Sequence, residues 1–215
     1  MKEPALDLFD DADLSEPAAA AVRRLAIAGF HALWSGRSVT LDELAGEDVT
    51  ALTEAADHLR YRGRVEVADN GQLVAIHGLC RRPTPHWIEH HDGVVNTWCA
   101  LDAIGIPAAL RIGARARTQC PTCQTSLAVH LSDGEPQQPL PEAILWYPEV
   151  ICGHLVEDFC SGANLFCTID HLEEWAGTSE RAGRTMTIDE VAEVGREGWA
   201  DVAERPRAEA PDTPG

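Results

Sequence analysis

The chain has 215 residues, of which 45% are hydrophobic and 24% are charged, and its formal net charge at pH 7 is −18. This composition is typical of a globular protein with one or two domains. The excess of negative charge argues against nucleic acid and anionic membranes as partners, because both present negative charge to the protein. No apolar run approaches the roughly 20 residues that span a bilayer, and the N-terminus lacks the apolar stretch of a secretion signal. We therefore expect a cytoplasmic protein.

The first part of the chain predicts a winged-helix-like domain over residues 17–78, after a flexible acidic N-terminus at residues 1–16. Apolar residues at helical spacing predict three helices, at residues 17–34, 40–45 and 49–61. Two β-prone segments around Asp69-Asn70-Gly71 then predict a hairpin. Winged helices usually bind DNA, but the candidate recognition helix carries Glu54 and Asp57. We therefore interpret this unit as a scaffold.

The second part, residues 79–204, predicts a catalytic domain with a small mixed sheet and flanking helices, so that the whole chain belongs to the α+β class. The segment at 205–215 has the composition of a disordered tail. A helix is expected over residues 97–104, capped by Asn96 and disturbed by Pro107. The other expected elements are strands at 111–119, 127–131, 144–147 and 165–169, and helices at 171–176 and 187–203.

Cys99 and Asp102 stand three positions apart on that helix, so both side chains project from one face. An Asn96 cap would place Cys99 in the first turn, where the helix dipole favours a thiolate. A lone cysteine on an apolar helix is more often a small buried hydrophobic residue. A thiolate beside a carboxylate is unusual, however, because repulsion keeps one of the two groups protonated. This pair predicts a site that binds a soft electrophile and then protonates it.

Several segments in this half of the chain resemble the bacterial organomercurial (alkylmercury) lyases, over most of residues 18–200. The string Trp98-Cys99-Ala100-Leu101-Asp102 is the most specific of them. The others are Ile106-Pro107-Ala108, Gly113-Ala114-Arg115-Ala116-Arg117, Cys120, Phe159-Cys160 and Glu174-Trp175. The family's winged-helix-like N-terminal part and small mixed-sheet catalytic domain agree with the layout predicted above.

The resemblance implies that Cys99, Asp102 and Cys160 form the catalytic set of an alkylmercury lyase. Thiolate sulfur is the preferred ligand of mercury, a soft metal. Two thiolates on a carbon-bound mercury would make the carbon basic, and Asp102 would protonate it. The products would be a hydrocarbon and Hg(II) held between Cys99 and Cys160, with Asp102 nearby. No cofactor is required. The implied partners are an organomercurial substrate, low-molecular-weight thiols and a mercuric reductase as candidate recipient of Hg(II).

The sequence contains seven cysteines, which in a reducing compartment are more often ligands, nucleophiles or buried thiols than disulfides. Cys120 matches a family cysteine that looks structural, whereas Cys123 departs from the family pattern. Cys120-Pro121-Thr122-Cys123 resembles one knuckle of a zinc ribbon. Because the candidate partner pairs have the wrong spacing for a second knuckle (Cys152 with His154, and Cys160 with Cys167), a structural zinc is not expected. We interpret Cys80 and Cys167 as buried thiols.

Two alternatives to a lyase remain open. The first is a protein that binds or transfers a soft metal such as mercury or copper without catalysis, because the same thiols suit these ions. The second is a relative of the lyase family with different thiol chemistry. A winged-helix metal sensor is disfavoured by the acidic charge. Asp102 discriminates the lyase from the carrier, because a carrier needs no carboxylate beside its thiol.

Overall fold

The computed structural model describes residues 14, 16–45, 49–150, 153–177 and 182–203. Most of the predicted flexible N-terminus, the predicted tail at residues 205–215 and Cys152 lie outside these ranges. Among the described residues, no helix is both long enough and apolar enough to cross a membrane.

The described part of the chain begins with three helices, α1 (Glu16–Trp34), α2 (Leu41–Ala45) and α3 (Val49–Tyr61), as predicted. Thr40 and Glu43 form the expected capping box of α2: the Thr40 N–H donates to Glu43 Oε2 at 2.7 Å, and the Glu43 N–H donates to Thr40 Oγ1 at 3.3 Å. Strands β1 (Val65–Val67) and β2 (Leu73–Ile76) then form the predicted hairpin. The comparison of this unit with winged helices stays a prediction.

The hairpin is the edge of an eight-stranded sheet with the order β1-β2-β3-β5-β4-β6-β7-β8. Its other strands are β3 (Leu79–Cys80), β4 (Trp87–His90), β5 (Gly93–Thr97), β6 (Ala114–Gln119), β7 (Ser126–Ser132) and β8 (Glu135–Pro136). One sheet thus continues across residues 78 and 79, where a domain boundary is predicted.

The α+β class is confirmed, but the expectation of a small mixed sheet is wrong, because every pairing between the described strands is antiparallel. Parallel neighbours require a crossover connection. The crossover through helix α4 (Ala100–Leu110) joins β5 to β6, and these two strands lie on either side of β4 rather than next to each other. The other consecutive strands of this sheet are joined by short connections.

A second antiparallel sheet, of order β10-β9-β11, lies in the C-terminal part of the chain. Its strands are β9 (Ile144–Pro148), β10 (Leu165–Phe166) and β11 (Gly183–Met186). One π-helical segment (Leu155–Cys160) lies between β9 and β10. Helices α5 (Ile169–Gly177), α6 (Ile188–Gly198) and α7 (Ala200–Ala203) complete the fold. The helix predicted at residues 187–203 therefore divides into α6 and α7, next to Trp199.

Helix α4 is buried along almost its whole length and packs closely on α6. The two helices approach at glycines: a Cβ atom added to Gly195 would lie 2.2 Å from the Gly105 Cα. Pro107 was expected to disturb the helix, but α4 continues to Leu110. A proline inside a helix costs roughly 3 kcal/mol, and the burial of this turn against its neighbours offsets that cost.

Candidate active site

The three predicted catalytic residues meet at the start of α4. One ligand atom each from Cys99, Asp102 and Cys160 lies within 4.8 Å of the other two. The three residues are 0%, 3% and 5% exposed, respectively. The structure therefore brings together two thiols that are far apart in sequence and one carboxyl group, in a site that is shielded from bulk water.

The start of α4 fixes Asp102 against Cys99. Asn96 is not the cap, since it lies in β5; Cys99 itself takes the N-cap position with φ −147° and ψ 176°. Its backbone N–H donates to Asp102 Oδ2 at 2.9 Å. The position three residues after the cap is where a carboxylate commonly returns to the cap backbone. Asp102 thus satisfies an otherwise unpaired helix N–H while its carboxyl group stays beside the thiol.

Gly78 closes the opposite side of the Asp102 carboxyl group. Its φ is +89°, and a Cβ atom at this position would lie 2.8 Å from Asp102 Oδ1. The Gly78 carbonyl also accepts a hydrogen bond from the Trp98 N–H at 2.9 Å, which ties this loop to the residue before Cys99. Only glycine fits here, because both the backbone conformation and the space exclude a side chain.

Cys160 comes from the last position of the π-helical segment, which the sequence did not predict. The Asp158 carboxylate accepts hydrogen bonds from the N–H groups of Gly153 at 2.8 Å and His154 at 2.7 Å, which anchor the start of the segment. After Cys160, the Ala163 carbonyl accepts from the Ala100 N–H at 3.1 Å. This bond joins the two chain segments that carry the thiols. Short π-helical segments are frequent at functional sites.

Burial dominates the proton equilibria of this site. It raises the pKa of the Cys99 thiol well above its ordinary value, with smaller contributions from the Cys160 hydrogen bond and the Asp102 charge. The hydrogen bond from Cys99 favours a Cys160 thiolate, but burial and the Asp102 charge outweigh it and raise the Cys160 pKa. The expectation that the helix dipole would make Cys99 a thiolate is therefore wrong: the desolvation cost of a buried anion exceeds a dipole effect of at most about 2 kcal/mol.

Asp102 is the group of the site that titrates near neutrality. Burial raises its pKa from 3.8 to about 7, against the opposing effect of hydrogen bonds from Cys99 and the Trp98 backbone. At neutral pH the site therefore contains two protonated thiols and a carboxyl group that is ionised in a substantial fraction of molecules. Such a set can accept a proton from a thiol and return it to a bound substrate.

Comparisons with known proteins show which family this chain resembles. The family model of alkylmercury lyases matches residues 79–200. An alkylmercury lyase of Bacillus cereus is 23% identical over 169 residues, which is 76% of this chain and 75% of that protein. One of Streptomyces lividans is 28% identical over 148 residues, covering 66% and 67% of the two chains.

This chain belongs to the alkylmercury lyase family. Its fold is also that of a solved relative, the mercury-bound form of MerB2, with a TM-score of 0.79, 18% sequence identity and coverage of 90% of this chain and 94% of the other. The family to which the sequence motifs pointed is thus confirmed, and with it the general class of activity, that of an organomercurial lyase. The roles of Cys99, Asp102 and Cys160 stay predictions.

This family member has a second group of thiols in addition to its candidate active site. Cys120 and Cys123, in the turn between β6 and β7, meet Cys167 and His171, and the four ligand atoms lie within 4.8 Å of one another. The sequence indicated Cys120 and Cys123 only as candidate structural residues, and it did not predict His171. The sequence signal for the second half of this group is the Cys-x-x-x-His pair at 167–171. Cys167 was expected to be buried and is half-buried.

Cys80 lies outside both groups. It is buried in β3, as expected, and its Sγ accepts a hydrogen bond from the Arg82 N–H at 3.3 Å. Burial raises its thiol pKa. Cys80 is therefore a buried thiol with a local partner and serves as a control position for the cysteines of the two groups.

Proposed function

We propose that this protein cleaves the carbon–mercury bond of organomercurials by protonolysis, with Cys99 and Cys160 as mercury ligands and Asp102 as the proton donor. The observation that carries this proposal is the meeting of two thiols and one carboxyl group within 4.8 Å in a buried site. Membership of the alkylmercury lyase family supports the general activity. The residue roles rest on the geometry and on the chemistry of mercury.

Capture of the substrate begins at Cys99. An organomercurial R–Hg–X, where X is a thiolate, exchanges X for the Cys99 sulfur, because thiolates are the ligands that a soft metal prefers. The thiol must lose its proton in this step. The Asp102 carboxylate accepts a hydrogen bond from the Cys99 side chain as well as from its backbone N–H, so it is placed to accept this proton. A pKa of about 7 suits a group that both accepts and donates protons at neutral pH.

Cleavage follows when Cys160 adds to the same mercury atom. The thiolate X that was released during capture accepts the Cys160 proton and leaves as HX, and the second sulfur increases the electron density on the carbon of the C–Hg bond. Asp102 then gives its proton to that carbon, the bond breaks, and R–H leaves. Overall, R–Hg–X and two thiols react to give R–H, HX and an Hg(II) ion bound by two thiolates. Asp102 ends the cycle ionised, as it began. Exclusion of water favours the proton transfer, since both charges and dipoles act more strongly in a dry site.

Turnover then requires removal of Hg(II) from the two sulfurs. A low-molecular-weight thiol can displace them stepwise by ligand exchange, and a mercuric reductase is the expected recipient of the metal. The chemistry needs no organic cofactor or redox step, because a proton and an electron pair account for every bond that forms and breaks.

Benzene release from phenylmercury tests the proposal. The parent protein with excess thiol should release benzene over many turnovers, whereas Cys99→Ser should lose turnover by at least about two orders of magnitude, because a hydroxyl is a poor ligand for mercury. Cys80→Ser is the matched control, since it removes a buried thiol outside the site, and it should keep the parent rate. A Cys99→Ser variant as active as Cys80→Ser would refute the assignment.

A further inference from the structure

We propose that Cys120, Cys123, Cys167 and His171 hold a structural zinc ion. Cys120 is buried, Cys167 and His171 are half-buried and Cys123 is exposed, so the group lies just below the surface. Three thiolates and one imidazole form a complete ligand set for a closed tetrahedral zinc site. The proposal concerns a site separate from the candidate active site and does not depend on the proposed function.

The separations between the ligand atoms are close to those that zinc imposes. With Zn–S near 2.3 Å and Zn–N near 2.0–2.1 Å, tetrahedral geometry places two sulfurs about 3.8 Å apart and a sulfur and a nitrogen about 3.6 Å apart. The Cys123 and Cys167 sulfurs are 3.5 Å apart, and Cys120 Sγ is 3.9 Å from His171 Nδ1. The Cys167 sulfur lies 2.9 Å from the same nitrogen. Binding requires this last distance to lengthen by about 0.7 Å, which a small side-chain rotation provides.

The backbone of the turn is shaped to present its two sulfurs together. The Gln124 N–H donates to the Cys120 carbonyl at 2.8 Å, and the Cys120 N–H donates to the Thr125 carbonyl at 3.0 Å. Gln124 takes φ +61°, a left-handed conformation that is uncommon for residues other than glycine. Backbone strain of this kind often persists at ligand sites, where other interactions compensate for it.

The second pair of ligands is positioned by the start of α5. His171 lies in the first turn of the helix, where its N–H donates to Thr168 Oγ1 at 3.2 Å, and Cys167 lies just before it. The His171 carbonyl accepts a hydrogen bond from Thr122 Oγ1 at 2.8 Å. This bond joins the two ligand-bearing segments directly, so both pairs are held in place by contacts other than those of a metal.

Zinc fits this group better than the other chemistries that thiols offer. A disulfide between Cys123 and Cys167 would leave Cys120 and His171 without a role. Catalytic zinc sites keep one position open, whereas this group supplies four protein ligands. The ion would join the turn of the large sheet to the segment between β10 and α5, which follows Cys160 by a few residues. It would thereby stabilise the part of the chain that carries the second thiol of the candidate active site.

Elemental analysis of the full-length protein, expressed with added zinc and purified under reducing conditions, tests the site. We expect about one zinc per chain in the parent and in Cys80→Ser. Cys123→Ser and His171→Gln should retain little or none, and His171→Cys should retain zinc because it restores a ligand. Less than about a fifth of an equivalent in the parent, or equal loss in Cys80→Ser, would overturn the proposal.

Cobalt(II) bound to the parent chain provides a test that needs no variant. A tetrahedral site with three thiolates should give intense visible ligand-field bands and a sulfur-to-cobalt charge-transfer band, which one equivalent of zinc removes. Octahedral cobalt spectra, or a 123–167 disulfide detected by mass spectrometry in the protein as isolated, would each contradict a structural zinc site. None of these measurements uses an organomercurial, so a failure of the proposed lyase activity would not affect the outcome.

Discussion

At the scale of single residues, the site depends on what burial does to three ionisable groups. Burial keeps Cys99 and Cys160 protonated and moves the Asp102 pKa to about 7, so the carboxyl group is the one that exchanges protons near neutral pH. A buried ionisable group that serves a function often lowers the stability of the folded state. The cost of Asp102 to the folded state should therefore be measurable.

Asp102→Asn should stabilise the protein at high pH and much less at low pH. The pKa of Asp102 is about 7 in the folded state against 3.8 in the unfolded state. The folded state therefore binds more protons between these values, and parent stability falls as pH rises through that window. Asparagine does not titrate and can still accept from the Cys99 N–H. Denaturant unfolding should show the advantage of the variant growing by on the order of 3 kcal/mol from pH 4 to pH 8. A pH-independent difference would contradict the raised pKa.

Gly78→Ala should disturb the position of the Asp102 carboxyl group. The new Cβ atom would lie 2.8 Å from Oδ1, so the carboxyl group must shift. Gly71→Ala is the matched control, because Gly71 has a similar φ of +79° with no atom within 4 Å of its Cβ position. Both variants should lose about 1–2 kcal/mol from backbone strain. Only Gly78→Ala should lower benzene release tenfold or more and shift its pH profile; equal effects of the two variants would indicate backbone strain alone.

At the scale of elements, the helix that carries Cys99 and Asp102 is positioned by its contact with α6. Gly195→Ala should be strongly destabilising, since its Cβ would lie 2.2 Å from the Gly105 Cα. Overpacking of this kind costs about 1–3 kcal/mol or more. Gly177→Ala is the control, because no atom lies within 4 Å of that Cβ position. It should leave stability unchanged or raise it by up to about 1 kcal/mol. Thermal unfolding of the two variants provides the measurement, and equal stabilities would mean that α4 and α6 pack less closely.

At the scale of the whole molecule, local features were predictable and those that depend on tertiary packing were not. The Thr40–Glu43 capping box and the β1–β2 hairpin follow from short sequence patterns, and both are confirmed. The prediction that Pro107 disturbs α4 was wrong because sequence spacing does not reveal how deeply that turn is buried. The prediction of a Cys99 thiolate was wrong for the same reason, because the sequence does not show that this thiol is buried. Cys123 and Cys167 are 44 residues apart, and only the fold brings them together.

A single-turnover experiment with Asp102→Asn and phenylmercury tests the central claim most directly, with bound mercury and released benzene measured in parallel. Asparagine keeps the shape of the side chain and accepts hydrogen bonds, but it cannot donate and recover a proton at neutral pH. We expect the variant to bind phenylmercury through its thiols while benzene release falls by about two to four orders of magnitude. Benzene release from the variant at the parent rate would remove Asp102 from the mechanism. Mercury binding without benzene release by the parent itself would indicate a carrier rather than a lyase.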